Sequence, residues 1–227
     1  MARLSRLVVP GEVHLVRQSA IAGQQPFADD VDCERFLDTL RRAAAERGVS
    51  VQAYALLPDA WLMLGTPASA DALGKMMQAL SRWFVTEFNR RHGRQGALWR
   101  SRFTAAPLSA SHVIDAVLYV ELAPQRSGLA SALDYRWSSA PHHVTGARDP
   151  LLVGHRTLWG LGNTPFEREA AHGRMLDQGL AHSSAQTIEQ TLLKGWAWAS
   201  PAELESWAAS GRRVVPLPRG RPRLVQK

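Results

Sequence analysis

The spacing of apolar positions changes several times along the chain, and each change marks an element. Residues 13–18, VHLVRQ, read as a strand. Residues 30–47 place Cys33, Phe36, Leu37 and Leu40 at i, i+3, i+4 and i+7, the stripe of an amphipathic helix. Gly48 stands where a left-handed residue closes such a helix. Residues 49–57, VSVQAYALL, alternate, with Val49, Val51, Ala53 and Ala55 on one face. Pro58 and Asp59 make a tight turn, and residues 60–65 return as a second strand. A long helix over 69–91 carries Leu73, Met76, Met77, Leu80 and Phe84 on its apolar side, and Gly93 and Gly96 end it. Residues 103–108 form a short strand ending at Pro107. A helix follows over 111–122, built on Val113, Ile114, Val117, Leu118 and Leu122, with Ser109 or Ser111 as its cap. The order β-α-β-β-α-β, then a helix, predicts an α/β (α+β) fold of ferredoxin-like type: an antiparallel sheet with helices on one face.

Beyond about residue 135 the pattern weakens. Residues 141–183 hold Pro141, Gly146, Pro150, Gly154, Gly160, Gly162 and Pro165 and read as an irregular connecting region. Residues 184–199 and 201–209 read as two short helices around Ser200 and Pro201, before a basic Pro/Arg tail. The expected organisation is a main domain over 1–140, a connector over 141–183 and a helical appendage with its tail over 184–227.

Composition sets the class. With 227 residues, 45% apolar and 21% charged, the chain is long enough for one sizeable core. It has no apolar run of about 18 residues, so no membrane span is expected. Pro10 and Gly11 interrupt the start before a secretory h-region can form. A single cysteine, Cys33, excludes an internal disulfide framework and a cysteine-based zinc ribbon. The expected compartment is the cytoplasm.

Charge adds a functional hint. The formal charge is +7, and 24 of the 27 basic residues are arginine. Arginine suits bidentate phosphate contacts, but GC-rich coding enriches arginine too, so position carries the argument rather than number. Residues 211–227 contain Arg212, Arg213, Arg219, Arg221, Arg223 and Lys227 with no acid, a charge of +6. Residues 82–102 contain Arg82, Arg90, Arg91, Arg94, Arg100 and Arg102 against Glu87, a charge of +5. The remainder is therefore net acidic at −4. Two basic patches on an otherwise acidic chain are the footprint of a nucleic-acid binder, and these arginines are the candidate DNA contacts. The tail segment Arg219-Gly220-Arg221-Pro222 has the core of an AT-hook, in which glycine lets the backbone approach the minor-groove floor. The plainer reading is a basic end that binds any polyanion.

Several strings are more specific. Pro10-Gly11-x-x-His14-x-Val16-x-Gln18 opens the first strand, and Leu57-Pro58-Asp59 leads into the third. Gly96-Ala97-Leu98-Trp99-Arg100-Ser101-Arg102-Phe103 follows the long helix. Tyr119-Val120-Glu121-Leu122-Ala123-Pro124 and Asp134-Tyr135-Arg136-Trp137-Ser138-Ser139 come next. Together these resemble the single-tyrosine transposases of the HUH superfamily, and most of all the transposase-like proteins associated with repetitive extragenic palindromes. The resemblance runs from about residue 6 to the tail. It implies a ferredoxin-like domain that recognises hairpin-forming, palindromic single-stranded DNA and cuts and joins it during transposition, with a nucleoid-associated location. Family members occur as monomers and as homodimers.

In that family a His-x-His pair on the strand after the Leu-x-Pro turn and a polar residue four positions beyond a helical tyrosine hold Mg²⁺ or Mn²⁺, while the tyrosine attacks a DNA phosphate. Here the tyrosine position is kept as Tyr119. The two histidine positions are Ala60 and Leu62, and the polar position is Ala123. Hydrocarbon side chains coordinate nothing. Losing even one neutral donor to a developing oxyanion commonly costs about 3–4 kcal/mol, and a divalent cation contributes more. A phenol of ordinary pKa is also protonated at neutral pH. The expectation is a DNA-binding chain with no metal cofactor, with Tyr119 a buried, idle ring and strand cleavage lost. Two rival readings are an active transposase with another metal arrangement and a repurposed protein-interaction module. His14 reads as a satisfied structural histidine. The His142-His143 doublet, taken as extended chain, points its rings apart and so holds no metal. Trp61 is placed near the vacated site.

Overall fold

The computed structural model describes residues 6–209 and 213–216. Four strands, β1 (Val13–Ser19), β2 (Val49–Leu57), β3 (Ala60–Pro67) and β4 (Thr104–Leu108), form one antiparallel sheet in the order β2-β3-β1-β4. Helix α1 (Asp30–Arg47) links β1 to β2, and α2 (Ala72–Arg91) links β3 to β4. This is the split βαβ connectivity read from the sequence. Asp29 starts α1 by accepting the Asp32 N–H at 3.0 Å, and Gly48 ends it at φ 67°, a conformation that costs glycine nothing.

Strand alternation divides the core into two layers. Trp61 and Met63 of β3 point toward α1 and α2, where they meet Phe36, Leu40, Met76 and Phe84. Leu62 and Leu64 point the other way, into a second layer with Leu15, Ala55, Val117 and Val120. Helices α1 and α2 thus cover one face, as the pattern predicts, and the opposite face is covered as well. Its cover is α3 (Val113–Glu121) together with Ile188 and Leu192 from far along the chain. Burial on both sides explains why β2 and β3 are nearly continuous apolar runs.

Both sheet edges are closed by irregular chain. On β2, Leu56 N donates to Trp137 O at 2.9 Å, Ser139 N to Tyr54 O at 3.0 Å and Val153 N to Val51 O at 2.8 Å. On β4, Trp198 N donates to Pro107 O at 3.1 Å. Pro107 lies within β4, one residue before its end, which an edge strand tolerates.

The region over 141–183 is more regular than its composition suggests. Leu122 separates α3 from a short continuation, α4 (Ala123–Arg126), and then come α5 (Ala140–Thr145), α6 (Arg156–Trp159) and α7 (Pro165–Gln178). Of the glycines and prolines read as marks of irregular chain, Pro141, Gly146, Gly160 and Pro165 stand at helix ends: Gly146 and Gly160 follow α5 and α6, Pro141 lies in the first turn of α5, and Pro165 opens α7 inside a Thr164–Glu167 capping box. Helices α8 (His182–Gln190) and α9 (Pro201–Ala208) follow, with a 3₁₀ turn at Leu192–Lys194 between them. Neither Ser109 nor Ser111 caps α3; a 3₁₀ turn at Ala110–His112 precedes it, and the two hydroxyls bond each other at 2.9 Å. No helix among the described residues is long and apolar enough to cross a membrane.

Candidate nucleic-acid interface and the vacated metal positions

Leu62 of β3, Tyr119 of α3 and Ala123 of α4 meet in one apolar cluster, and Ala60 is fully buried two residues before Leu62 on the same strand. The four positions offer methyl, isobutyl and phenol groups, so they do not fit a divalent cation. An arginine borders them. Arg17 of β1 stands directly opposite Leu62 in the β1–β3 register, and so on the same face of the sheet. Its Nε is buried without a hydrogen-bond partner. Arg126 lies 3.9 Å over the Tyr119 ring and donates to the Tyr119 carbonyl at 2.5 Å. Burial pushes the Tyr119 phenol above its ordinary pKa, and the pull of Arg126 and Arg17 does not reverse this. Tyr119 is therefore neutral at physiological pH.

Arg17 also lines a small cavity of about 120 Å³ with Gln18, Ser19, Arg100 and Arg102. Gln18 and Arg102 are shared with a larger groove of about 620 Å³, whose walls include Met77, Leu98, Trp99 and Phe103 and whose cations are Arg6, Arg82 and Arg102. Two polar atoms of this groove's lining residues are buried and unpartnered: Gln18 Oε1 and the Trp99 indole N–H.

The arginines of 82–102 therefore divide. Arg82, Arg100 and Arg102 face these cavities. Arg90 is held by Glu87 through two hydrogen bonds of 2.8 and 3.0 Å. Arg91 bridges to Asp29 and to the buried Asp32, and Arg94 lies against Phe88 and donates to Ala97 O at 3.3 Å. Of the C-terminal arginines, Arg213 lies 5.3 Å from the Trp196 ring. Arg212, Arg219, Arg221 and Arg223, with the AT-hook-like segment, lie outside the described residues.

Trp61 does not line the vacated positions; it is buried in the other layer, edge-on to Phe36 at 4.9 Å, because adjacent strand residues face opposite sides. His14 is fully buried and satisfied: Val9 N donates to its Nε2 at 3.1 Å, and its Nδ1 lies 2.8 Å from Glu12 O. His142 and His143 lie on α5, not on extended chain, and the two rings serve different partners. The His142 Nδ1 lies 2.7 Å from Ala147 O, whereas the His143 Nδ1 lies 2.6 Å from Glu121 Oε1.

Glu121 is the functional-type residue that the sequence did not reveal. Its carboxylate is fully buried and is met by Ser139 Oγ, His143 Nδ1 and His172 Nε2, each at 2.6 Å. Burial alone would raise its pKa, but the two imidazoles outweigh this and hold the carboxyl well below the usual range. Tyr119 and Glu121 are two residues apart on one helix, about 200° around its axis, and share none of these partners.

No protein-family model and no curated protein matches the chain. Among solved structures it is similar to a REP-associated tyrosine transposase bound to a REP hairpin, at 16% identity and a TM-score of 0.52, over 68% of this chain and 93% of that one. It is also similar to a candidate transposase from Deinococcus radiodurans at 21% identity and a TM-score of 0.37, over 49% of this chain and 89% of that one. The chain thus shares its fold with a REP-associated tyrosine transposase.

Proposed function

We propose that this chain is a transposase-related DNA-binding protein that holds hairpin-forming single-stranded DNA and does not cut it. The observation that supports the reading is a face lined by hydrocarbon and a phenol, with a guanidinium beside it, at the positions to which the resemblance assigns metal ligands. Leu62 and Ala123 pack around Tyr119, and Arg17 projects from the same sheet face toward the cavity it shares with Arg100 and Arg102. A guanidinium attracts and orients a phosphate. It does not withdraw charge from the phosphorus as an inner-sphere divalent cation does. A buried, neutral phenol is a poor nucleophile besides.

The larger groove supplies what a single strand needs beyond charge. Trp99 and Phe103, the latter with the Arg6 guanidinium 3.7 Å over its ring, line the groove as aromatic surface against which a base can stack. Arg82, Arg100 and Arg102 are assigned to the DNA backbone. Arg212, Arg213, Arg219, Arg221 and Arg223 join them as a second, basic point of attachment. The hairpin carried by the similar transposase supports the choice of DNA form.

The test uses a labelled single-stranded hairpin from a repetitive palindrome. Incubation with Mn²⁺ yields no covalent protein–DNA adduct. An adduct that disappears in Tyr119→Phe would overturn the inactive assignment. Binding falls with salt, and the double variant Arg100→Ala/Arg102→Ala lowers the slope of log affinity against log salt by about 0.7 for each phosphate it no longer neutralises. Absence of binding at low salt would sink the DNA reading and favour a protein partner.

A further inference from the structure

We propose that Glu121, His143 and His172 form a binding site for one divalent transition-metal ion, Zn²⁺ or Fe²⁺. The site is separate from the vacated transposase positions and stands or falls independently of the DNA reading. One donor atom from each of the three residues lies within 4.8 Å of the other two. They come from α3, α5 and α7, which no local sequence motif links.

The donor chemistry narrows the ion to a first-row transition metal, Zn²⁺ or Fe²⁺. Two imidazole nitrogens and one carboxylate oxygen are a catalytic-type zinc set, which leaves one coordination position open. Imidazoles disfavour Mg²⁺ and Ca²⁺, which prefer oxygen. The carboxylate also has an outer support. Ser139 Oγ donates to Glu121 Oε1 and accepts the Tyr54 N–H at 3.1 Å, which ties the ligand to β2. Such second partners fix a ligand's orientation and raise its affinity for metal. Access exists as well: a cavity of about 280 Å³ opens onto His143 and His172, with Glu169 and Trp159 also in its wall. That leaves room for a water or small ligand at the open position.

The plain alternative is an ion-free cluster in which each imidazole gives an N–H to Glu121. An ion must displace both of those protons, so the two states differ in measurable ways. The site is not a relocated transposition metal. Tyr119 belongs to the same apolar cluster as Leu62 and Ala123, whereas the Glu121 carboxylate bonds to His143 of α5 and His172 of α7.

The experiment takes the full chain, stripped with chelator and dialysed. Zn²⁺ titrated by calorimetry binds at one equivalent, Zn²⁺ raises the Tm, and Co²⁺ gives visible d–d absorption that Zn²⁺ bleaches. The double variant His143→Ala/His172→Ala loses all three signals. His172 is deeply buried, so His143→Gln at the cavity rim serves as a second variant that keeps the core intact. It lowers Zn²⁺ affinity at least about 100-fold, the upper end of what losing an outer partner alone costs. Cys33→Ser leaves binding unchanged, which excludes the single buried thiol. Failure of the stripped wild-type chain to take up Zn²⁺ or Co²⁺ overturns the proposal. So does Zn²⁺ uptake that survives at full affinity in folded His143→Gln.

Discussion

A buried imidazole stays neutral when both nitrogens are used in that form, and His14 uses both, against Val9 N–H and the Glu12 carbonyl. Burial drives its pKa down to about 4, although the bond to Glu12 opposes this. The unfolded chain regains the ordinary value near 6.5, so between those pH values the unfolded state binds the extra proton. Stability contributed by neutral His14 is present above pH 6.5 and is lost as pH falls toward 4. The expected loss between pH 7 and pH 5 is about 2 kcal/mol. Urea unfolding at several pH values checks it: His14→Gln should be less stable at pH 7 and show a flatter dependence from pH 7 to 5. Equal slopes in the two proteins would refute the assignment. This role was legible in the sequence, because a lone histidine in an apolar strand has few other uses. Glu121 was not. Its partners lie 18, 22 and 51 residues away, and only the packing of α5 and α7 on α3 brings them in.

Between elements, the informative contact joins α1 to α2. Asp32 of α1 is almost fully buried, and its carboxylate is met by Arg91 at 2.5 Å and by the His92 Nε2 at 2.9 Å. Arg91 reaches on to Asp29, the cap of the same helix, at 2.6 Å. Removing one partner of a buried pair leaves a desolvated charge behind, at a cost of about 3–5 kcal/mol. Arg91 is about a quarter exposed and His92 remains on Asp32, so Arg91→Ala should lower the midpoint of urea unfolding without abolishing the fold. The same variant should leave hairpin affinity within about twofold, whereas Arg102→Ala should weaken it and reduce its salt slope. Equal losses of affinity in the two variants would mean that the division among the arginines is wrong. The sequence showed a basic stretch over 82–102. It did not show which members were already taken, because the acids that claim Arg91 come from 59 and 62 residues earlier.

At the scale of the whole molecule, the order of strands and the first two helices follow from local period alone, and the second layer over the sheet does not. Alternation reports that a strand has two faces; it does not say what covers the second. The apolar runs in β2 and β3 hinted at cover on both sides, and the cover comes from α3 and from residues beyond 181. Ile188 and Leu192 are almost completely buried against the sheet, and Trp198 closes the outer edge of β4. A further cluster of Leu7, Ala197, Trp207 and Val214 ties the C-terminal part to the start of the chain. The C-terminal helices are thus part of the core rather than a detachable appendage. Ending the chain after residue 181 should expose the part of the sheet face under Ile188 and Leu192 together with the open edge of β4, the combination that promotes edge-to-edge association. Size-exclusion chromatography and thermal unfolding of that truncated chain should show aggregation in place of a cooperative monomeric transition. A soluble, cooperatively unfolding 1–181 fragment would instead mean that α3 and the chain around Leu158 suffice to cover the sheet and that residues 182–209 and 213–216 pack onto an already complete domain.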